Sequence, residues 1–213
     1  MARAVYIGGF GNGRGNAERV ASALEPYYEE IDEFTFSEAI SNPDKVRRAV
    51  HGVDALTHSA GMLTLADTNP SRIEAFGAPL PTTKLRLIGR TGLKTVRMHT
   101  PGIGIQSPRD VLAVGSYGAS SAAELVAHPV RNLGHLGDIS RFDAIEAAIA
   151  AQQRDIPTSL NYTEGDEYFQ LSEEREAVAR AMGVGVMRIP GIHDELVIRP
   201  AATLQLVGLS DRL

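Results

Sequence analysis

Three short segments of the sequence carry residue types that together could cleave an acyl bond. Ser59 follows an apolar run and precedes Ala60 and Gly61, small residues that let a chain turn sharply and present a hydroxyl. Asp166 and His193 lie in turns that follow two later apolar runs. Serine, aspartate and histidine in this chain order can serve as nucleophile, orienting acid and general base. The three segments therefore indicate nucleophilic acyl chemistry, provided that the fold brings them together.

Each segment taken alone has a simpler explanation. A serine between a strand and a helix is commonly an N-cap, a loop histidine is commonly solvated, and aspartate is common in turns. All three residues, however, lie just beyond the carboxyl ends of separate predicted strands. Parallel α/β sheets place their binding sites at that edge. The combination favours a common site more strongly than any one residue does.

Alternating strand and helix patterns predict the elements that would position these residues. The predicted strands are Ala4–Ile7, Ile31–Phe36, Val53–Thr57, Arg72–Gly77, Ile156–Tyr162 and Val184–Ile189. Asn16 is a predicted N-cap of the first helix, and residues 60–66 are predicted to be helical. This alternation predicts a parallel sheet of about six strands with helices on both faces.

The strand signal vanishes between residues 81 and 153, where helical segments punctuated by Gly and Pro take its place. We therefore expect one α/β domain that is built from residues 1–80 and 154–213. Residues 81–153 would form a helical insertion in that domain.

Composition excludes several classes of protein and site. The 213 residues include no Cys, which rules out disulfides, thiolate zinc sites and cysteine nucleophiles. The net charge of −5 argues against a general nucleic-acid binder. No apolar run approaches the roughly 20 residues that span a bilayer, and no signal peptide is recognised, so a cytoplasmic protein is expected. The sequence has no H-E-x-x-H motif or clustered ligands, so neither a metal nor a cofactor is expected.

Four segments together resemble the α/β-hydrolase superfamily, in particular serine esterases and lipases with a helical cap. Gly8-Gly9-Phe10 matches the oxyanion loop, and Thr57-His58-Ser59-Ala60-Gly61 matches the nucleophile turn. Gly165-Asp166 matches the acid turn, and Gly191-Ile192-His193 matches the histidine loop. Residues 81–153 fall where this family commonly inserts its cap.

The resemblance implies a role for each residue. Ser59 would attack an acyl carbonyl, while His193 would take its proton and return it to the leaving group. Asp166 would orient the imidazole, and the backbone N–H groups of Phe10 and Ala60 would form the oxyanion hole. The implied reaction is hydrolysis of a carboxylic ester or related acyl bond through an acyl-enzyme. The glycines that would shape the two loops are Gly8, Gly9 and Gly61.

Two departures from the family pattern keep alternatives open. Thr57 stands where the family has a glycine, and its β-branched side chain would crowd the turn, as in a non-catalytic small-molecule binder. The chain starts at the strand before the oxyanion loop, which implies a minimal, six-stranded version of the fold. Asp138 is an alternative to Asp166 as the acid.

The glycine-rich segment 8–15 also permits a Rossmann-type oxidoreductase, with Asp32 or Glu33 as the ribose ligand of NAD(P). The G-x-G-x-x-G pattern fails in both registers, since its third position falls on Arg14 or Asn16. This interpretation is therefore the weaker alternative.

Two residues that adjoin the predicted triad are not assigned a role in it. His58 precedes Ser59, but neighbouring residues of a strand and turn point apart, so we interpret His58 as packing. Asp194 follows His193 directly and is expected to be poorly placed to orient its ring.

A cationic stripe lies on the predicted cap. Arg86, Arg90, Lys94 and Arg97 recur at helical spacing, which is typical of a solvated helix face. The same stripe could attract an anionic acyl substrate or an anionic lipid surface. The acidic segment from Glu25 to Glu38 would complement it in a homodimer.

Overall fold

The fold is a six-stranded sheet, seen in a computed structural model that describes residues 2–100, 103, 105–127, 129–166 and 168–209. The strands are β1 (Arg3–Ile7), β2 (Glu30–Phe34), β3 (Asp54–His58), β4 (Arg72–Phe76), β5 (Thr158–Gly165) and β6 (Gly185–Ile192). Their order across the sheet is β2-β1-β3-β4-β5-β6, and all neighbouring pairs are parallel. The prediction of a parallel sheet of about six strands is confirmed.

Helices cover both faces of this sheet. They are α1 (Arg14–Leu24), α2 (Phe36–Ser41), α3 (Pro43–Val50), α4 (Lys84–His99), α5 (Pro108–Ala127), α6 (Pro129–Arg141), α7 (Ala144–Gln152), α8 (Glu173–Ala181), α9 (Glu195–Ile198) and α10 (Pro200–Leu206). A 3₁₀ helix over Ser59–Leu65 follows β3. No helix within the described ranges is long and apolar enough to cross a membrane.

Alternating side chains of the strands form two buried cores, one on each face. Val5 and Ile7 of β1 point into the core that α2, α3, α7 and α8 cover. Tyr6, between them, points into the opposite core, which α1, α9 and α10 cover. Burying a large apolar side chain contributes roughly 1.5–3 kcal/mol, so these two layers hold the strand ends in place.

Several predicted element boundaries are wrong: β5 and β6 run on to Gly165 and Ile192, and two helices begin at other residues than predicted. Phe36 begins α2 and does not belong to β2, because Thr35 and Glu38 form a reciprocal capping box. The Thr35 hydroxyl accepts from the Glu38 N–H at 3.2 Å, and the Glu38 carboxylate accepts from the Thr35 N–H at 2.8 Å. Asn16 lies inside α1, whose N-cap is Gly13.

The chain between β4 and β5 is helical throughout its regular elements. Helices α4, α5 and α6 contact one another, whereas α7 packs against β5 and α8. Ala144, Ile145 and Ala148 of α7 are buried in the same core as the sheet. Helices α4, α5 and α6 also contribute residues to the two cores, and in addition they line the cavity at the sheet edge where the candidate site lies.

Candidate active site

Ser59 stands directly at the carboxyl end of β3 in a strained conformation. Its φ is +48°, in the left-handed region that non-glycine residues rarely adopt. Such a conformation costs on the order of 1–3 kcal/mol and persists only where the surrounding structure enforces it. The reversal of direction here presents the Ser59 side chain at the edge of the sheet, as a nucleophile turn requires.

Two glycines let the oxyanion loop and the 3₁₀ helix approach this turn. A Cβ at Gly9 would lie 2.8 Å from both the Ser59 Cβ and the His58 Nδ1. A Cβ at Gly61 would lie 2.5 Å from the carbonyl oxygen of Ile7, at the end of β1. Real Cβ atoms do not approach other atoms this closely, so the close contact of these segments requires glycine at both positions.

Asp166 and His193 are joined by a buried hydrogen bond. The Nδ1–H of His193 donates to Oδ2 of Asp166 at 2.8 Å. The other oxygen of Asp166 accepts from the backbone N–H groups of Tyr168 and Phe169, each at 2.7 Å. The carboxylate is thus held by its own loop and directs one oxygen at the imidazole.

The imidazole of His193 lies against aromatic rings and a glycine. Its centroid is 4.9 Å from the Tyr168 ring and 5.7 Å from the Phe169 ring. A Cβ at Gly77, just after β4, would lie 2.9 Å from its Cε1 and 3.0 Å from its Nδ1. Gly77 has φ +57° and therefore meets both the steric and the backbone requirement of this position.

Ser59 and His193 line the same cavity, which has a volume of about 690 Å³. Phe10 of the oxyanion loop and His58 also line it. Its apolar wall comes from α4, α6 and the loop after β5 and includes Leu87, Ile88, Met98, Leu136, Ile139 and Phe169. Among the side chains that the structure describes, no Lys or Arg lines the cavity. An uncharged, largely apolar group suits this space.

His58 and Asp194 both belong to the cavity wall, and His58 makes hydrogen bonds beyond the packing role that the sequence suggested. Both are about 1% exposed and both line the cavity. Nδ1 of His58 accepts from the Asn12 amide at 2.9 Å, and its Nε2 lies 3.1 Å from the carbonyl oxygen of His193. Asp194 accepts from the Tyr117 hydroxyl of α5 at 2.9 Å. The sequence signal that could have identified them is that each residue directly adjoins a predicted triad member, His58 adjoining Ser59 and Asp194 adjoining His193.

His58, His193 and Asp194 also form a group whose ligand-type atoms lie within 4.8 Å of one another. A carbonyl oxygen can only accept, so the contact with the His193 carbonyl requires a proton on Nε2 of His58. The Asn12 amide occupies the Nδ1 lone pair of the same ring. His58 therefore has no free lone pair for a metal in this arrangement.

Two buried tyrosines lie under the carboxylates of the site. Burial raises the pKa of Tyr6, and the charge of Asp194 and the neighbouring Tyr117 raise it further. Burial likewise raises the pKa of Tyr162, with the charge of Asp166 adding to the effect. Both phenols are consequently neutral wherever the fold is intact near neutral pH.

The predicted oxyanion loop and nucleophile turn both reach the cavity, through Phe10 and Ser59. Ala60 is the second residue of the 3₁₀ helix and is fully buried, while Phe10 reaches the cavity. Gly8 donates its N–H to the carbonyl of Phe34 at 2.9 Å, which fixes the start of the loop. Thr57 fits into β3, where its neighbour on β4 is the small Ala75.

Asp138, the alternative acid in the sequence analysis, lies on α6, where its partners are other residues of that helix. Its carboxylate is 3.2 Å from Arg141 and 3.9 Å from His135, and more than half of its side chain is exposed. Asp166, and not Asp138, is hydrogen-bonded to His193.

The cationic stripe on α4 is partly committed to the site's own backbone. Arg90 donates to the carbonyl of Tyr168 at 2.6 Å, and Arg97 donates to the carbonyl of Gly165 at 3.1 Å. Arg86 is exposed, and the Lys94 side chain lies outside the described part of the structure. Two of the four cations therefore brace the loop that carries Asp166.

Several carboxylates of the acidic segment from Glu25 to Glu38 form ion pairs within the chain. They include Glu33, one of the two candidate ribose ligands. Glu33 and Glu38 pair with Arg14 at 2.9 and 3.2 Å, and Glu30 pairs with Arg3 at 2.7 Å.

No protein-family model matches the sequence, and no curated protein is significantly similar to it. Solved structures do match over the full chain. An esterase from Thermogutta terrifontis is 12% identical, covers 100% of this chain and 90% of its own, and has a TM-score of 0.62. A meta-cleavage product hydrolase from Pseudomonas fluorescens is 10% identical, covers 100% and 91%, and has a TM-score of 0.64. An enol-lactonase from Burkholderia xenovorans is 13% identical, covers 99% and 92%, and has a TM-score of 0.56. At such identities the likeness concerns the fold.

Proposed function

This chain has the α/β-hydrolase fold, and on that premise we propose that it is a serine hydrolase that cleaves a carboxylic ester or related acyl bond. The observation that carries the proposal is the buried 2.8 Å hydrogen bond between Asp166 and His193. It lies in a cavity that Ser59, at φ +48°, also lines. These are the three residue types that nucleophilic acyl transfer needs, at one edge of one sheet.

The base works through its second nitrogen. Because Nδ1–H of His193 donates to Asp166, the Nε2 lone pair of the neutral ring is the one that can take a proton. In the proposed reaction it removes the Ser59 proton as Oγ attacks the acyl carbon. The imidazolium then donates that proton to the leaving alcohol, and an acyl-serine remains. Water, deprotonated by the same nitrogen, releases the acid and restores Ser59.

The developing oxyanion would be stabilised by the backbone N–H groups of Phe10 and Ala60. Backbone donors are held rigidly, so little reorganisation is needed as negative charge develops on the carbonyl oxygen. The Gly9 contact with Ser59 supports this arrangement, because it keeps the loop that carries Phe10 against the nucleophile turn. Losing one such donor costs about 10²–10³ in rate in comparable sites.

The preferred acyl group in this proposal is neutral and largely apolar. Support comes from the cavity wall, in which Leu87, Met98 and Ile139 take part, and from the Asp194 carboxylate among its lining residues. An anionic acyl group would lose its hydration there without gaining a described cationic partner. We therefore expect neutral butyrate or hexanoate esters to be hydrolysed in preference to esters with a free carboxylate.

A fluorophosphonate probe tests the proposal directly, since it labels only an activated serine. We expect labelling of the wild type and of Ser121→Ala, a matched control because Ser121 lines the same cavity. Ser59→Ala should lose the label and the turnover of p-nitrophenyl butyrate. Turnover that survives Ser59→Ala, or a wild type that takes no label, would refute the hydrolase and leave the small-molecule binder.

A further inference from the structure

We propose that His58 is a positioning residue that fixes the backbone of the catalytic base, a role that rests on the proposed function of His193. The Nε2–H of His58 donates to the carbonyl oxygen of His193 at 3.1 Å. The contact is with the peptide group of the base itself and not with its ring. It complements the Asp166 contact, which fixes only the imidazole.

The tautomer of His58 follows from its two partners. The carbonyl of His193 requires a donor at Nε2, which leaves Nδ1 as the acceptor for the Asn12 amide at 2.9 Å. Both bonds are buried, so a variant that leaves either partner unsatisfied also pays the desolvation of that group. The ring is therefore held between two loops, with its Nε2–H on the carbonyl of His193.

Those loops come from distant parts of the chain. Asn12 follows β1, His58 ends β3, and His193 follows β6, which is separated from β3 by two strands. Strand hydrogen bonds therefore do not connect the nucleophile turn directly with the histidine loop. The side chain of His58 supplies that connection and ties the oxyanion loop to the same point.

The histidine loop needs such an anchor because of its own sequence. Gly191, two residues before His193, has φ +124°, a conformation that only glycine adopts readily. A glycine leaves the backbone before the base with more accessible conformations than any other residue would. The pairing of Ile192 with Gly165 and the hydrogen bond from the Ile192 N–H to Glu195 hold the chain up to the residue before the base. The hydrogen bond from His58 holds the next carbonyl, that of His193 itself, and the two ring centroids lie 5.2 Å apart.

Two amide substitutions test the roles of the two ring nitrogens of His58 separately. In His58→Gln the Nε2 amide reaches the position of the histidine Nε2 and can still donate to the His193 carbonyl. In His58→Asn the shorter amide can still meet Asn12 but cannot reach His193. We expect Asn to lower kcat roughly 10- to 100-fold with KM nearly unchanged, since misplacement by about 1 Å has such costs. Gln should restore most of kcat.

A spectroscopic measurement gives a readout that does not need turnover. The imidazole proton between His193 and Asp166 should give a far-downfield proton resonance, assigned by its loss in Asp166→Asn. We expect it to persist in His58→Gln and to broaden or vanish in His58→Asn, with thermal unfolding confirming that both are folded.

Equal kcat and equal spectra for Asn and Gln, whether both normal or both impaired, would overturn the positioning role. A wild type without fluorophosphonate labelling refutes the hydrolase instead. In that case the comparison of spectra still decides whether His58 positions His193.

Discussion

At the scale of single residues, Asp166 is the best-anchored member of the site, because each of its carboxylate oxygens has a defined partner. Asp166→Asn would keep the acceptor for the backbone N–H groups of Tyr168 and Phe169 and turn its NH₂ towards His193. Two donors would then face each other, so the imidazole would adopt the other tautomer. We expect kcat to fall about 10³- to 10⁴-fold with the fold intact.

Steady-state kinetics with p-nitrophenyl butyrate and circular dichroism check this prediction. Ser59→Ala and His193→Ala should lose still more activity, since they remove reacting groups. An Asp166→Asn variant with wild-type kcat would show that another group orients His193.

The sequence places Ser59, Asp166 and His193 in turns after strands, and that much of their setting could be foreseen. The contacts of His58 and Asp194 could not. Strand alternation assigns a side chain to a face, but the hydrogen bond from His58 reaches a carbonyl 135 residues further along the chain. Asp194 finds its partner Tyr117 on a helix of the insertion. Neither bond follows from local periodicity.

At the scale of elements, Gly77 directly follows β4, and the ring of His193 lies so close to it that there is no room for a Cβ. In Gly77→Ala the new methyl would meet the His193 ring at about 3 Å and would also adopt φ +57°. We expect a kcat loss of tenfold or more, since displacing the base by a fraction of an ångström is enough, together with roughly 1 kcal/mol or more of lost stability.

Gly52 provides the matched control for this substitution. It has φ +68°, and nothing lies within 4 Å of the position that a Cβ would occupy, so Gly52→Ala carries the backbone strain alone. Urea unfolding should show a similar strain cost in both variants, while only Gly77→Ala loses turnover. Full activity in Gly77→Ala would mean that the ring tolerates displacement.

Element prediction succeeded where apolar residues recur over a full strand and failed at the ends. The six strands and their parallel pairing follow from repeated strand–helix alternation. Phe36 looks like the last apolar residue of β2, yet the capping box of Thr35 and Glu38 ends the strand before it. The 3₁₀ helix that begins at Ser59 lies against the end of β1 at Gly61, a contact that no local pattern encodes.

At the scale of the whole molecule, the fully buried phenols of Tyr6 in one core and Tyr162 in the other predict alkaline sensitivity. The pKa values of Tyr6 and Tyr162 are raised by burial and nearby carboxylates. Unfolded tyrosines ionise near pH 10, so their stabilising effect is complete below that pH and is lost progressively above it. Each can contribute a slope of up to about 1.4 kcal/mol per pH unit.

Tyr6→Phe and Tyr162→Phe should therefore flatten the decline in unfolding free energy between about pH 9 and pH 11. Near neutral pH they should cost little, because among the described residues neither hydroxyl has a hydrogen-bond partner. Urea titrations across this pH range provide the measurement. Unchanged slopes in both variants would assign the alkaline transition to other groups.

The parallel pairing of β4 with β5 determines which insertions and deletions the fold can tolerate during evolution. The two strands are neighbours in the sheet, yet the whole run of helices from α4 to α7 lies between them in the chain. The entropy lost in closing a loop grows only logarithmically, by about 0.6 kcal/mol for each doubling of its length. Insertions or deletions between α4 and α6 are thus nearly neutral for strand pairing. The roof of the cavity can therefore vary in length at little cost to the pairing of β4 with β5, provided that the contacts of Arg90, Arg97 and Tyr117 with the edge of the sheet are kept or replaced.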